Sequence, residues 1–279
     1  MSRYFLIVLL FLFSVSLKAQ SYFNTHSSDL KDSAVNVYIP PPAKVLSNLQ
    51  KAINPNNPFR LTFVGVEKVD YPEGAKAAAD FATNLISSYI NFNSLASGDS
   101  IRIKVVWQEI ASTNIKLAST LTSKNLLLQN NVSYLYPTPL AEKKNGNMNG
   151  TEYDATITVY KINGIERYYF GTDGQCPSTQ IDFVTIFLHE ITHALGFGSS
   201  IYLYNGDATF GFDSLGNVKA NGARGFPMFY DTFVVDSNAF KTKLIEDTQY
   251  NFTNYIKSDK IYFESANSKL FNNSPYAKP

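Results

Sequence analysis

Apolar residues recur among polar ones with the period of an α-helix between residues 179 and 195. The apolar positions of this segment are Ile181, Val184, Leu188, Ile191 and Leu195. They follow one another at intervals of three and four, so they lie along one face of an α-helix. Thr179 and Asp182 form a capping-box pattern after Pro177, and Gly196 can adopt the left-handed conformation that ends a helix. The pattern therefore predicts an amphipathic helix that buries this face.

The pattern of residues 59–110 predicts a strand, a helix and a second strand. Residues 59–66 alternate apolar and polar side chains, as a half-buried strand does. Residues 75–92 carry apolar side chains at helical spacing, and residues 101–110 are again typical of a strand. Because a helix between two strands forms a crossover connection, we predict a parallel pair of strands with the helix packed on one face.

An antiparallel hairpin is predicted just before the helix of residues 179–195. Asn163 and Gly164 separate two strand-like runs, residues 155–162 and 165–172. Asn-Gly supplies the positive φ angles that a two-residue turn requires. These elements together indicate the α+β class, with a mixed, twisted sheet packed on the helix.

Other segments give weaker patterns. Residues 111–153 match no single element, and residues 251–279 show no clear closing element. Residues 199–221 are rich in Gly, Asp and Asn, which predicts a loop. Residues 229–235, FYDTFVV, are typical of a strand.

Composition and charge narrow the class of protein. With 44% hydrophobic and 14% aromatic residues, the chain can build a sizeable core. The 24 basic and 23 acidic residues nearly balance, so charge gives no basis for nucleic-acid binding or for attachment to a membrane surface.

The amino terminus has the pattern of a secretory signal peptide at residues 1–19. Arg3 precedes an apolar run from Phe5 to Phe13, and small and polar residues end at Ala19. The apolar run is too short to cross a bilayer, although a short retained anchor is the alternative. Residues 20–57 are polar and rich in proline, which predicts a leader or pro-region. We therefore expect a secreted protein whose single domain spans residues 58–279.

Two of the three histidines, His189 and His193, flank Glu190 on the predicted helix. Residues i and i+4 lie above one another on a helix, so both imidazoles can reach one metal ion. Two neutral imidazoles leave Zn²⁺ with open positions, and an adjacent carboxylate can accept a proton from water. The spacing therefore predicts a zinc site with His189 and His193 as ligands and Glu190 as general base. The alternative is an ordinary amphipathic helix.

The segment HEITHALGF resembles the start of the metzincin signature, and His189, Glu190, His193 and Gly196 match it. Phe197 resembles the leishmanolysin-like arrangement, in which an insertion separates the glycine from a distant third histidine. The resemblance implies a metzincin, zincin-like fold and a secreted zinc endopeptidase with protein or peptide substrates. It also implies that an antiparallel edge strand before the helix pairs with the substrate. One arm of the predicted hairpin is our candidate, and a plain sheet hairpin is the alternative.

The third zinc ligand is not evident. Ser199 stands where the short metzincin signature has a histidine, and no histidine follows His193. Met228 is preceded by no third ligand, so we do not assign it to a Met-turn. We expect the third histidine and the Met-turn to lie beyond Pro279. The carboxylates that can instead supply an oxygen ligand, as in other classes of zinc peptidase, are Asp213, Asp231 and Glu246.

Two other functions remain open. A secreted binding or adhesive protein can retain the helix without catalysis, and the absent third histidine favours this. A zinc peptidase of the glutamate-ligand class would differ by a carboxylate on the metal. The lone cysteine, Cys176, is interpreted as structural or unpaired, with a blocking thiolate on the zinc as the alternative. His26 is interpreted as a solvated residue of the leader.

Overall fold

The computed structural model describes residues 57–65, 71–90, 100–110, 117–145, 152–162, 167–217, 219, 225–236, 253–254 and 261–264. These residues form a mixed α+β structure. The predicted signal peptide at 1–19 and the leader at 20–57, apart from Asn57, lie outside them. Those two predictions, and the single domain at 58–279, therefore stay predictions.

The described strands are β1 (Phe59–Gly65), β2 (Ile101–Ile110), β3 (Ala118–Thr122), β4 (Lys124–Gln129), β5 (Val132–Pro137), β6 (Ala155–Ile162), β7 (Tyr168–Tyr169), β8 (Ile181–Asp182), β9 (Ile201–Tyr204), β10 (Asp207–Phe210), β11 (Val234–Asp236) and β12 (Ile261–Phe263). The described helices are α1 (Ala75–Tyr89), α2 (Thr138–Asn145), α3 (Phe183–Ala194) and a 3-10 helix at Phe229–Phe233. The chain divides into two compact units. One comprises residues 32–123 and 137–195, and the other residues 1–31, 124–136 and 196–279.

The main sheet of the first unit has the order β1-β2-β6-β3. β1 is parallel to β2, and β2 is parallel to β6. β3 is antiparallel to β6 and ends the sheet. Since α1 connects β1 to β2, the predicted parallel pair around a helix is confirmed. The predicted mixed sheet is confirmed as well.

The interior strands β2 and β6 have a paired strand along each edge and carry buried apolar side chains. Ile103 and Val105 of β2 are buried, as are Ile157 and Val159 of β6. α1 packs on α3, and α3 packs on β3. The sheet therefore provides the surface on which α3 lies.

Aromatic side chains anchor the start of α3. Phe183, its first residue, packs against Trp107 with ring centroids 6.1 Å apart and against Tyr168 at 5.8 Å. Phe187 stacks on Phe183 at 5.5 Å, one turn further along the helix. Burying each such ring stabilises the fold by about 2 kcal/mol. The cluster thereby holds the helix against β2 and β7.

The hairpin predicted for residues 155–172 is wrong. β6 pairs with β2 along one edge and with β3 along the other, so it is an interior strand. Of the second predicted arm, Tyr168 and Tyr169 form β7, which pairs in parallel with β8. The Asn163-Gly164 turn lies outside the described residues. The antiparallel edge strand of this sheet is therefore β3, in a segment for which the sequence predicted no element.

The described residues of the second unit form three strand pairs, β4 with β5, β9 with β10, and β11 with β12. β9 and β10 are antiparallel around Asn205 and Gly206, so the loop predicted for residues 199–221 is wrong over this hairpin. The strand predicted for residues 229–235 is wrong in its first part, which forms the 3-10 helix, and correct from Val234. In the described part of the chain, no helix is both long and apolar enough to cross a membrane.

Candidate metal centre

Helix α3 begins at Phe183, with Asp182 as its N-cap. Oδ2 of Asp182 accepts a hydrogen bond of 2.9 Å from the backbone N–H of Thr185. Thr179 is exposed and lies before β8, so the capping box predicted from Thr179 is wrong. The reason is the pairing of β8 with β7, which holds the residues before Phe183 extended.

The apolar face of α3 is buried as predicted. Val184, Leu188 and Ile191 are all buried, whereas the two outer positions of the predicted stripe flank the helix. Gly196, just past the C-cap, has a φ of 104°, which is strained for any residue with a Cβ. The helix therefore ends where the sequence indicated.

His189 and His193 converge beside α3. Their Nε2 atoms lie 3.0 Å apart, and their ring planes are nearly perpendicular at 88°. Both residues are half-buried. The prediction that the two imidazoles share one helix face is confirmed, and their role as zinc ligands stays a prediction.

The distance between these two nitrogens fits two ligands of one zinc ion. Two Zn–N bonds of about 2.0–2.1 Å at a tetrahedral angle separate the nitrogens by about 3.4 Å. The observed 3.0 Å differs from that by a few tenths of an ångström, so small side-chain rotations are enough. Without a metal, the N–H of one Nε2 can donate a hydrogen bond to the other Nε2. The donor set thus suits a borderline metal such as Zn²⁺.

Burial lowers the pKa of His189 to about 4, with a further contribution from the charge of His193. The His189 imidazole is therefore neutral at pH 7, which is the form that binds metals. Its Nδ1 atom is buried and has no hydrogen-bond partner within the described residues. Metal-binding histidines usually donate this second ring N–H to an acceptor. Among the described residues, the ring of His189 contacts the His193 imidazole.

Glu190 lies between the histidines in sequence, and its side chain turns toward the sheet. The residue is 6% exposed. Its Oε2 atom lies 2.6 Å from Oγ1 of Thr120 on β3, and its backbone oxygen lies 3.0 Å from the same hydroxyl. The sequence did not identify Thr120, because ASTLT carries no motif and its partner stands 70 positions away. Only the strand register reveals the contact.

No third ligand completes the site among the described residues, where no three His, Cys, Asp or Glu side chains are grouped to hold a metal. Asp213 accepts hydrogen bonds from the backbone N–H groups of Leu215 and Asn217, each within a turn of its own loop. Glu246 lies outside the residues that the structure describes.

Asp231, the remaining carboxylate candidate, is fully buried in a network of its own. The hydroxyls of Ser199 and Ser200 each donate to it at 2.6 Å, and the backbone N–H of Met228 donates at 2.8 Å. Burial raises the pKa of Asp231 to about 6, and these hydrogen bonds act in the opposite direction. Ser199, at the position of the short signature's third ligand, thus bonds to a carboxylate.

Cys176 is a free, half-buried thiol. Its Sγ lies 3.5 Å from the backbone oxygen of Pro177. Burial raises the pKa of this thiol, and the charge of Asp182 raises it further. The thiol is therefore protonated at neutral pH, which favours the structural interpretation over a thiolate ligand.

Comparison with known proteins identifies one family by its model. The model of the SPBPB7E8-like family matches residues 22–213, more than two thirds of the chain and all of α3. No curated protein and no solved structure matches the chain.

Proposed function

The chain belongs to the SPBPB7E8-like family, and we propose that it is a secreted zinc-dependent endopeptidase of the metzincin type. The observation that carries the proposal is the convergence of the two imidazoles, whose Nε2 atoms lie 3.0 Å apart. Glu190 supports it, because this buried glutamate follows His189 directly in the chain of the same helix. In this proposal His189 and His193 bind the metal and Glu190 is the general base.

The chemistry divides between the metal and the chain. A bound Zn²⁺ supplies Lewis-acid polarisation of water and of the scissile carbonyl. Glu190 takes a proton from the attacking water and passes it to the nitrogen of the leaving amine. His189 presents Nε2 in its neutral form at pH 7, because burial depresses its pKa to about 4.

The proposed substrate is an extended peptide lying along β3. In the part of the chain that the structure describes, β3 is the last strand of its sheet, and α3 packs against it. An extended peptide that adds to such an edge gains main-chain hydrogen bonds along its length. Leu121, which is 72% exposed on β3, would then contact a substrate side chain. We therefore propose β3, and not an arm of the predicted hairpin, as the strand that pairs with the substrate.

A paired assay of metal content and cleavage tests the proposal. Glu190→Gln keeps the side-chain shape but cannot accept the proton. We expect it to bind Zn²⁺ like the wild type and to lower kcat on a protein substrate about 100-fold or more. Glu109→Gln is the matched control, since Glu109 is an exposed residue of β2, and it should leave kcat unchanged. Full activity of Glu190→Gln would refute the general-base assignment.

The lack of a third ligand among the described residues favours a second candidate, a secreted binding or adhesive protein that carries zinc without catalysis. Stoichiometric zinc with no cleavage across a broad peptide library would support it. X-ray absorption at the zinc edge would separate a third class, the glutamate-ligand peptidases. Two imidazoles with a carboxylate oxygen would indicate that class, and three imidazoles the metzincin type.

A further inference from the structure

Thr120 is held at a defined position on the sheet. It is the central residue of β3, and it pairs with Ile157 of β6. Residues that pair directly across strands point to the same face, so Thr120 and the buried Ile157 both face α3. A side chain on a paired strand is placed more accurately than one on a loop.

The Thr120 hydroxyl has one proton and two acceptors, both belonging to Glu190. The 2.6 Å contact with Oε2 lies within the range of about 2.5–2.7 Å that hydroxyl–carboxylate bonds adopt. The contact with the backbone oxygen is longer, at 3.0 Å. Because the contact with the carboxylate is the shorter of the two, the hydroxyl donates its hydrogen bond to the carboxylate.

We infer that Thr120 is a positioning residue, whose hydroxyl fixes the carboxylate of Glu190 in the orientation that proton transfer requires. The inference rests on the proposed function, in which Glu190 is the general base. A glutamate has three rotatable side-chain bonds, and its distant carboxylate needs a partner to hold one orientation. Misplacing a reacting group by about 1 Å can lower a rate about 100-fold. The strand thereby supplies a hydrogen-bond partner to the carboxylate of a residue on α3.

Thr120→Val tests the inference, because it removes the hydroxyl and keeps a branched strand residue of similar size. We expect kcat to fall about 10- to 100-fold, with KM changed by less than about twofold. Thr120→Ser restores the hydroxyl and should recover most of kcat. Thr158→Val is the matched control. Thr158 pairs with Ser119, so its side chain points to the opposite face of the sheet.

A second readout is independent of catalysis and of bound metal. Thr120→Val, Glu190→Ala and the double variant form a cycle whose thermal midpoints are measured on the full chain with metal chelated. We expect the decrease of the thermal midpoint in the double variant to be smaller than the sum of the two single decreases. The difference should be about 2 °C or more. A Thr158→Val cycle with Glu190→Ala should be additive.

The inference and the proposed function can fail separately. Additive losses for Thr120 and Glu190, or an unchanged kcat in Thr120→Val, would overturn the role of Thr120 even where Glu190→Gln is inactive. Full activity of Glu190→Gln would instead remove the proposed function, while the coupling between Thr120 and Glu190 persisted.

Discussion

The backbone N–H of Thr185 donates a 2.9 Å hydrogen bond to Oδ2 of Asp182, and the Thr185 hydroxyl donates to the same oxygen. This bond satisfies one of the N–H groups that have no partner within the first turn of a helix. It also fixes the residue at which α3 begins, and with it the placement of His189 two turns further along.

Asp182→Ala should destabilise the protein by about 1 kcal/mol through loss of this cap. For a chain of this size that corresponds to a thermal midpoint lowered by about 2–4 °C. Thr179→Ala is the control, because Thr179 is exposed and does not cap α3. Calorimetry of the two variants distinguishes the caps. A larger decrease of the thermal midpoint in Thr179→Ala than in Asp182→Ala would indicate that Thr179 caps the helix, as the sequence pattern predicted.

His189→Ala and His193→Ala should each abolish stoichiometric zinc binding at micromolar concentration, since each removes one of the two imidazoles and leaves at most one imidazole and the unidentified third ligand. Metal analysis after dialysis against a weak chelator measures this. His26→Ala, which removes the third histidine of the chain, should retain the zinc. Retention of zinc by both site variants would place the metal elsewhere.

Asp231 should make stability depend on pH in an unusual direction. Its folded pKa of about 6 lies above the ordinary value of 3.8, so the folded state binds the extra proton in between. Protonated Asp231 stabilises the folded state below pH about 4. This contribution to the free energy of unfolding, about 3 kcal/mol, is lost as the pH rises to about 6. Asp231→Asn lacks this dependence. It can accept from Met228 and Ser200 with its oxygen and donate to Ser199.

Urea unfolding of Asp231→Asn and the wild type at several pH values between 4 and 7 measures the difference directly. We expect the variant to gain stability relative to the wild type as the pH rises. The comparison is needed because His189 acts with opposite sign. Its lowered pKa makes stability fall as the pH drops from 6.5 toward 4. Asp213→Asn is the control, because hydrogen bonds from Asn217 lower the pKa of Asp213 and reverse the expected trend.

Gly206→Ala should destabilise the β9–β10 hairpin. Gly206 has a φ of 89° and follows Asn205 at 49°, so both central turn residues adopt positive φ. A Cβ in this region costs about 1–2 kcal/mol. Asn205→Gly is compatible with the same turn and should change stability by less than about 0.5 kcal/mol. Equal effects of the two variants in denaturant unfolding would contradict this turn geometry.

The sequence predicted those parts of the fold that depend on local patterns. The apolar face of α3, its end at Gly196 and the parallel pair around α1 all follow from spacing along the chain. The histidine pair follows as well, because a helix brings residues i and i+4 together whatever surrounds it. The sequence placed Asp182 in the first turn with Thr179 as the cap, whereas Asp182 is itself the N-cap. A local pattern cannot show this, because it depends on the pairing between β7 and β8.

The remaining features depend on competition between distant segments. Asn163-Gly164 and Asn205-Gly206 are the same dipeptide, and turn chemistry alone does not say which one lies between paired strands. Residues 155–162, which precede Asn163, form a regular strand, β6. β6 pairs with β2 along one edge and with β3 along the other, so it cannot also pair with residues 167–172. Thr120 was invisible for the same reason, because its contact with Glu190 exists only once β3 has paired with β6.

That strand order also sets a sequence of events during biosynthesis. A chain emerges from its amino terminus, so β3 is made well before β6, its pairing partner among the described strands of the sheet. Until then β3 is an unpaired segment, and contacts between such distant segments form slowly. The histidine helix is made later still. The proposed catalytic residues are therefore brought together last in this unit. A nascent chain should remain inactive until β3 has paired with β6 and α3 has packed on the sheet.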